Sequence, residues 1–479
     1  MAKDIQTNRE IKEQIKVKAP IVEALNTAYK NPTYQFHIPG HTKGKAIFRD
    51  FKKLVGEKVL NIDTTDEFDN LGTLHPATGP IKEAQELAAQ AFGAKKTFFL
   101  LNGSTAGNLA IAMALTKKGQ KIIVNRNCHR SVLTGLMISG AEPIWFCPNK
   151  IENWSIWGNL DANKIEELIL ANPDVSMVWI TNPTYEGVVS DIKAISNVCK
   201  KYSKPLIVDE AHGCLWNFNK HLPETALKLG ADVVVHSLHK TGGSMSQSSM
   251  LHISQNSCIN PDGIEKALKL LHTTSPSLLL LASLDAARAN LQSNVGQKLL
   301  DRTIDNAKYL RTRLDAIPNL HQLKGDFGYK TDVTKVFIKI DGLSGKRLES
   351  ILEIDFGIEV ESASDIGVLI LCNLGNKRSD FKYLADSLEK IASTHYKDIY
   401  YLENRKHMPM LEPIIKMSLR EAYYAQKETL NKEDVIGRIS AEVVAECPPG
   451  IAILLPGELI TEEHMPYLND YKTLEVVKQ

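Results

Sequence analysis

Residues 205–247 open with Pro205-Leu206-Ile207-Val208-Asp209-Glu210-Ala211-His212-Gly213 and close with Val233-Val234-Val235-His236-Ser237-Leu238-His239-Lys240-Thr241-Gly242-Gly243-Ser244-Met245-Ser246-Gln247. Each of these segments begins as a short β-branched run and ends in polar and small residues. A stretch of helical character, about 221 to 229, lies between them. The order reads as strand, helix, strand. The same texture extends toward the N-terminus, where Thr97 to Leu101, Lys121 to Val124 and Val175 to Ile180 are further strand candidates. Amphipathic stretches separate them. In one, Asp161 is placed to cap a helix whose Ile165, Leu168 and Ile169 share a face. The repetition predicts an α/β fold, a parallel sheet with helices on both faces. Ligands of such sheets sit outside the carboxyl ends of the strands, so the residues that follow the strands are the first to inspect.

Lys240 lies in such a position, flanked by histidine, hydroxyls and glycines, a composition suited to a loop around a small anion. Lysine forms Schiff bases when its amine is partly desolvated or near other cations. Asp209 ends the preceding strand, 31 residues before Lys240. A carboxylate and a lysine converging at one sheet edge fit pyridoxal 5′-phosphate (PLP), with the lysine bonding the cofactor and the aspartate holding its pyridine nitrogen protonated. Leu101-Asn102-Gly103-Ser104-Thr105-Ala106-Gly107-Asn108 follows another strand and opens an apolar helix. Its small residues let backbone N–H groups approach an anion at the helix N-terminus, and Ser104 and Thr105 add hydroxyl donors. Asn125-Arg126-Asn127-Cys128-His129 follows a third strand, and His129 is placed to lie over a flat heteroaromatic ring.

The rest of the chain bounds these readings. The 479 residues suffice for two to four domains. Hydrophobic residues at 43% and charged residues at 24% exclude a disordered or low-complexity chain. A net charge of +1 gives no global attraction to nucleic acid or to anionic lipid. No run reaches the ~18–20 apolar residues of a membrane span; the longest, Leu278 to Ala282, reads as core helix. The N-terminal residues lack an apolar signal region, and seven scattered cysteines without a Cys-x-x-Cys pair read as reduced thiols. A cytoplasmic protein with no metal site is expected. Texture divides the chain into 1–75 (an N-terminal helix and loop-rich arm), 76–316 (the large α/β domain), 317–404 (a smaller α+β unit) and 405–479 (a C-terminal segment packing on it). A long helical region covers about 262 to 316, and Val333 to Ile340, Glu359 to Ser362 and Val368 to Leu371 are the strands expected of the smaller unit.

Together these residues resemble the fold-type I, PLP-dependent Orn/Lys/Arg decarboxylases, in the short form that lacks an N-terminal wing domain. Val235 to Ser249 fits the family's lysine signature. Pro39-Gly40-His41-Thr42-Lys43-Gly44, His75-Pro76-Ala77-Thr78-Gly79-Pro80-Ile81 and Thr273-Thr274-Ser275-Pro276-Ser277 resemble further family segments. So do Arg420-Glu421-Ala422 and Pro448-Pro449-Gly450 to Pro456-Gly457-Glu458. The resemblance implies an aspartate aminotransferase-like large domain and a smaller α+β C-terminal domain. It implies Lys240 as the Schiff-base lysine, with His239 beside it near the phosphate and the reacting carbon. Asp209 is then the pyridinium partner, Ala211 packs on one ring face and His129 stacks on the other. Ser104, Thr105 and Ser237 bind phosphate, joined by Ser275 of a neighbouring subunit, and His212 lies near the ring hydroxyl. The active unit is then a homodimer or higher homo-oligomer with shared sites.

The implied reaction is α-decarboxylation of a basic amino acid, arginine favoured over lysine or ornithine. A cationic substrate side chain needs an acidic contact, for which Glu67, Asp69 and Glu458 are the candidates. Two departures from the family pattern bear on the substrate. Gly72 and Thr73 are unusual after Asp66-Glu67-Phe68-Asp69, and Glu446-Cys447 stands before Pro448 where an aromatic residue is frequent. The alternatives are an aminotransferase or aldolase on the same fold, or a non-catalytic regulator. An aminotransferase usually carries an arginine for the α-carboxylate in the small domain, and Gly367 to Leu374 offers none.

Overall fold

A computed structural model of the chain describes residues 17–30, 33–66, 68, 70–325, 329–394, 411–446 and 450–478. The β-branched runs of the central region assemble into one seven-stranded sheet. In chain order its strands are β1 (Ala94–Leu100), β2 (Lys121–Asn125), β3 (Glu142–Phe146), β4 (Val178–Thr181), β5 (Leu206–Asp209), β6 (Val233–His236) and β7 (Ser249–Ser254). Their spatial order is β1-β7-β6-β5-β4-β2-β3. Strands β2 to β6 are parallel. β7 runs antiparallel to both β6 and β1, so β1 points the same way as β6. The carboxyl ends of β1, β2, β4, β5 and β6 therefore share one edge. From that edge β1 leads to helix α1 (Gly103–Leu115), β2 to α2 (Arg130–Ser139) and β6 to the single turn α3 (Leu238–Thr241).

Both faces of the sheet are covered. Val234 belongs to one buried apolar cluster, and its neighbours Val233 and Val235 to another on the opposite face, as the period of two in a strand requires. Two strands carry no strand signal in the sequence. β3 contains Pro143 but lies at the sheet edge, where a missing N–H costs no ladder bond. β7 carries Ser249, His252 and Ser254, all buried; His252 Nδ1 lies 2.8 Å from Thr97 Oγ1 and Ser249 Oγ 3.3 Å from Ser104 Oγ, while His252 Nε2 is buried without a hydrogen-bond partner. The helix expected near 221–229 is shorter, Ala226–Leu229. The region 262–316 divides into α4 (Pro261–Leu271), α5 (Leu278–Gln292) and α6 (Asn294–Asp315). Pro276 lies in the first break, and Ser293 in the second accepts a bond from Gly296 N.

After α6, strands β8 (Leu320–Gln322), β9 (Lys335–Ile340), β10 (Ser362–Ala363) and β11 (Val368–Leu371) form an antiparallel sheet in the order β8-β9-β11-β10. It has its own apolar cluster. Lys330–Thr331 pairs with Val188–Val189, tying this sheet to the loop that follows β4. The C-terminal strands Lys427–Asn431 and Thr473–Val477 pair, as do Val444–Glu446 and Ile451–Leu454. Among the described residues no helix is long and apolar enough to cross a membrane.

Candidate active site

A cavity of about 250 Å³ opens at the shared carboxyl edge of the sheet, lined among others by Ser104, His129, Tyr185, Asp209, His212 and Lys240. They come from the ends of five strands or the segments after them, Asp209 and His212 sharing β5. Thr105, Ala211, Ser237 and His239 line the same cavity, so the ten cofactor residues expected from sequence, Ser275 excepted, converge in one place.

Asp209 ends β5 and is 3% exposed. Its Oδ2 accepts from Asn108 Nδ2 at 3.0 Å and its Oδ1 from the Ala211 N–H at 3.2 Å. Among the described residues it forms no ion pair. A buried carboxylate held by two neutral donors and turned to a cavity suits a cationic ligand atom, because burying an unpaired charge is costly. His129 caps α2, its Nδ1 accepting from Ser131 N at 3.2 Å. Its proton therefore sits on Nε2. Burial lowers its pKa, with Asp209 pulling the other way, so the ring is a neutral flat surface near neutral pH.

The anion cradle is built at the start of α1. Gly103 takes φ +65 and donates its N–H to Gln247 O at 2.8 Å. The cap residue Asn102 makes no side-chain bond to the helix amides. Ser104 Oγ lies 2.6 Å from Ser237 Oγ and 3.3 Å from Ser249 Oγ. Three hydroxyls and a helix N-terminus without a side-chain cap thus face one point, the donor set a phosphate group requires.

Lys240 lies in α3, a single helical turn where the sequence reads as loop. The turn projects its Nζ to 2.8 Å from His212 Nε2. His212 Nδ1 in turn lies 2.8 Å from Lys335 Nζ. Burial, then the Lys240 and Lys335 charges, push His212 well below its ordinary value. His239 Nδ1 lies 2.8 Å from Ser248 O and so donates to it, which leaves Nε2 as an acceptor. Burial lowers its pKa against that bond. Amine, buried carboxylate, flat imidazole and phosphate cradle in one cavity fit PLP.

The acidic candidates for the substrate fare differently. Glu67 and Asp69 lie outside the described residues, as does Cys447-Pro448-Pro449. Glu458 does not line the cavity. It is fully buried; its Oε2 accepts from Leu455 N at 2.9 Å and meets Arg126 at 3.5 Å, while Oε1 meets His464 at 3.3 Å. With both oxygens engaged it stabilises the C-terminal turn and presents no charge to the cavity. Ser275 is exposed, 3.3 Å from Thr273 Oγ1, and not among the lining residues. Three cavity or supporting residues had no role in the sequence reading. Asn108 stood in the quoted α1 segment but its face of the helix was not resolved. Tyr185 follows β4 and was open to the strand-end rule. Lys335 carried no signal.

Residues 19–338 match the family described as Orn/Lys/Arg decarboxylase, major domain, and residues 403–479 match its C-terminal domain. The chain is 36% identical to an arginine decarboxylase of Bacillus subtilis over 466 residues, 96% of this chain and 94% of that protein. It is 24% identical to the inducible lysine decarboxylase of Escherichia coli, across 94% of this chain and 76% of that one. A lysine decarboxylase structure from Francisella novicida superposes with a TM-score of 0.86 at 20% identity, covering 96% of this chain and 81% of that chain. An alanine–glyoxylate aminotransferase of Nostoc superposes at 0.53 and 16% identity, over 65% of this chain and 86% of its own. The two structural likenesses establish the fold-type I architecture.

Proposed function

The chain belongs to the Orn/Lys/Arg decarboxylase family, PLP-dependent carboxy-lyases of basic amino acids, and on that premise we propose that it is an arginine decarboxylase whose reaction is run by Lys240, Asp209, His129, His239 and His212. The observation that carries the residue assignment is the convergence of an amine, a buried carboxylate without an ion-pair partner among the described residues, and a hydroxyl-lined helix N-terminus in one cavity. When bound, PLP supplies an electron sink for the pair left on Cα as carbon dioxide departs. Lys240 provides the covalent anchor and, with His239, a group within reach of Cα to return a proton. Asp209 keeps the pyridine nitrogen protonated. His129 and the Ala211 methyl would hold the ring between them, Ser104, Thr105 and Ser237 would fix the phosphate, and His212 would serve the ring hydroxyl.

Arginine is favoured because the Bacillus subtilis relative reported above, 36% identical across 96% of this chain and 94% of its own length, is an arginine decarboxylase. Carbon dioxide release from arginine, lysine and ornithine, each with added PLP, tests it. Arginine is expected to lead in kcat/KM by at least about tenfold, or ~1.4 kcal/mol. A lead for lysine or ornithine overturns the substrate, and keto-acid formation in place of carbon dioxide overturns the reaction class.

The same reading makes the active unit a homodimer, in which Ser275 reaches a partner's phosphate site. Tyr34, Phe36, Phe48 and Leu54 are 95%, 97%, 74% and 81% exposed on the N-terminal arm, an apolar surface that a second copy would cover. Sedimentation is expected to give a dimer or larger species at assay concentration, and Ser275→Ala should weaken PLP affinity without changing turnover at saturating cofactor. A fully active monomer would contradict both. Cytoplasmic residence belongs to this reading too: Cys128, Cys147, Cys199, Cys214, Cys258 and Cys372 are all free thiols.

A further inference from the structure

Lys335 begins β9, an interior strand of the smaller sheet, yet it is only 2% exposed. Its stem crosses toward the cavity past Gly187. There φ is +98, and an added Cβ would lie 2.9 Å from both Lys335 Cβ and Cδ, so the loop after β4 admits this side chain only because residue 187 has none. The Lys335 ammonium donates to the Tyr185 carbonyl at 2.6 Å and lies 2.8 Å from His212 Nδ1. The opposite nitrogen of that ring, Nε2, is 2.8 Å from Lys240 Nζ. Among the described residues Lys335 forms no ion pair, so a buried cation is spent on an imidazole and a carbonyl.

We propose that Lys335 is a positioning residue that donates to His212 Nδ1, fixes the imidazole as its Nε2–H tautomer, and thereby holds the Lys240 amine in the form that captures PLP. An ammonium has only donors, so the ring nitrogen it meets must accept, and the single proton of the neutral ring moves to Nε2. An Nε2–H directed at Lys240 needs a lone pair there, and that lone pair is the nucleophile. The amine then adds to the aldehyde carbon of PLP, and its two protons leave with the carbonyl oxygen as water. A neutral Lys240 in turn favours the Lys335 ammonium, because the Lys240 charge is one of the two causes that oppose it. Burial and the Lys240 charge lower its pKa to about 7, opposed by Asp332, Glu186 and Glu361. Of these, Asp332 accepts from Trp216 Nε1 at 2.7 Å and Glu361 from the Tyr185 hydroxyl at 2.8 Å. The smaller sheet is in this way wired into the state of the catalytic lysine.

The inference rests on Lys240 as the cofactor-bonding lysine, and the test separates the two. Cofactor-free protein is mixed with PLP, and the rise of visible absorbance is followed at pH 7. Affinity for pyridoxine 5′-phosphate, which lacks the aldehyde, measures the cradle alone. Lys335→Met is expected to slow the rise by at least about tenfold with pyridoxine phosphate affinity unchanged. Lys335→Gln, which keeps a donor for Nδ1, should recover most of the rate. In a His212→Asn background Lys335→Met should add little, since the ring it orients is gone. An unchanged rate in Lys335→Met, equal losses in Met and Gln, or fully additive effects would each overturn the proposal. Should Lys335→Met not fold, Gly187→Ala crowds the lysine stem while keeping the amine, and a wild-type rate there overturns it equally. Failure of borohydride to trap PLP on Lys240 in the wild-type protein would instead overturn the assignment of Lys240 itself.

Discussion

Lys240→Ala is expected to abolish the visible absorbance of bound PLP and to lower kcat by at least about 10³-fold, because it removes both the covalent anchor and a proton carrier. The substitution should leave the fold intact. Lys240 occupies one helical turn at the cavity, where alanine has the higher helix propensity, and the apolar clusters on either face of the sheet contain no part of its side chain. Thermal unfolding of the cofactor-free variant should therefore stay close to that of cofactor-free wild type. Lys240→Arg restores the charge but not the chemistry, since a guanidinium stays protonated at any working pH and has no lone pair to offer. Recovery of turnover by arginine, or normal turnover in the alanine variant, would remove Lys240 from the reaction; among the described residues no other lysine lines the cavity.

The residues legible in the sequence share one property: they stand just after β-branched runs. Asp209, His129 and Lys240 were found because a strand's end can be read locally and the chemistry collects there. Asn108 was not, because its role depends on which face of α1 turns toward β5, and that helix is apolar nearly all round. Lys335 was hidden for a different reason. In Lys335-Val336-Phe337-Ile338-Lys339-Ile340 the lysines alternate with apolar residues, the pattern of a strand with one solvated face. That face is instead covered: Phe337 packs with Ile151, Trp154 and Val188 from the large sheet's loops. Alternation shows that two faces differ, not what a distant segment lays over them. Glu458 failed in the opposite sense. Leu455-Pro456-Gly457-Glu458 reads as an exposed turn, but Arg126, whose guanidinium also donates to Ala452 O and Ile453 O at 2.8 and 3.0 Å, draws the acid inside. A buried cation elsewhere in the chain decides the fate of such an acid, and it is 332 residues away in sequence.

Asp209→Asn should retain PLP but lose at least about 10²-fold in kcat, ~2.7 kcal/mol of barrier. Two effects contribute, and the geometry separates them. The carboxylate accepts on both oxygens, from Asn108 Nδ2 and from the Ala211 N–H. An amide offers one oxygen, so its NH2 must face one of those donors, leaving a buried clash that costs about 1–3 kcal/mol of stability. The second effect is the loss of the negative charge, without which the cofactor's pyridine nitrogen is no longer held protonated and its capacity to take up electrons falls. Asn108→Ala isolates the first. It deletes one of the same hydrogen bonds but leaves the charge, and it should cost stability with less than about tenfold in kcat. The decisive measurement is thus the ratio of the two variants' kcat at saturating PLP, with absorbance confirming that cofactor is bound in both. A ratio near one would make Asp209 a structural acid held by Asn108, and a loss below about tenfold in Asp209→Asn would do the same. A wide ratio assigns the rate to the charge of Asp209, because every other contact at the end of β5 is common to the two proteins.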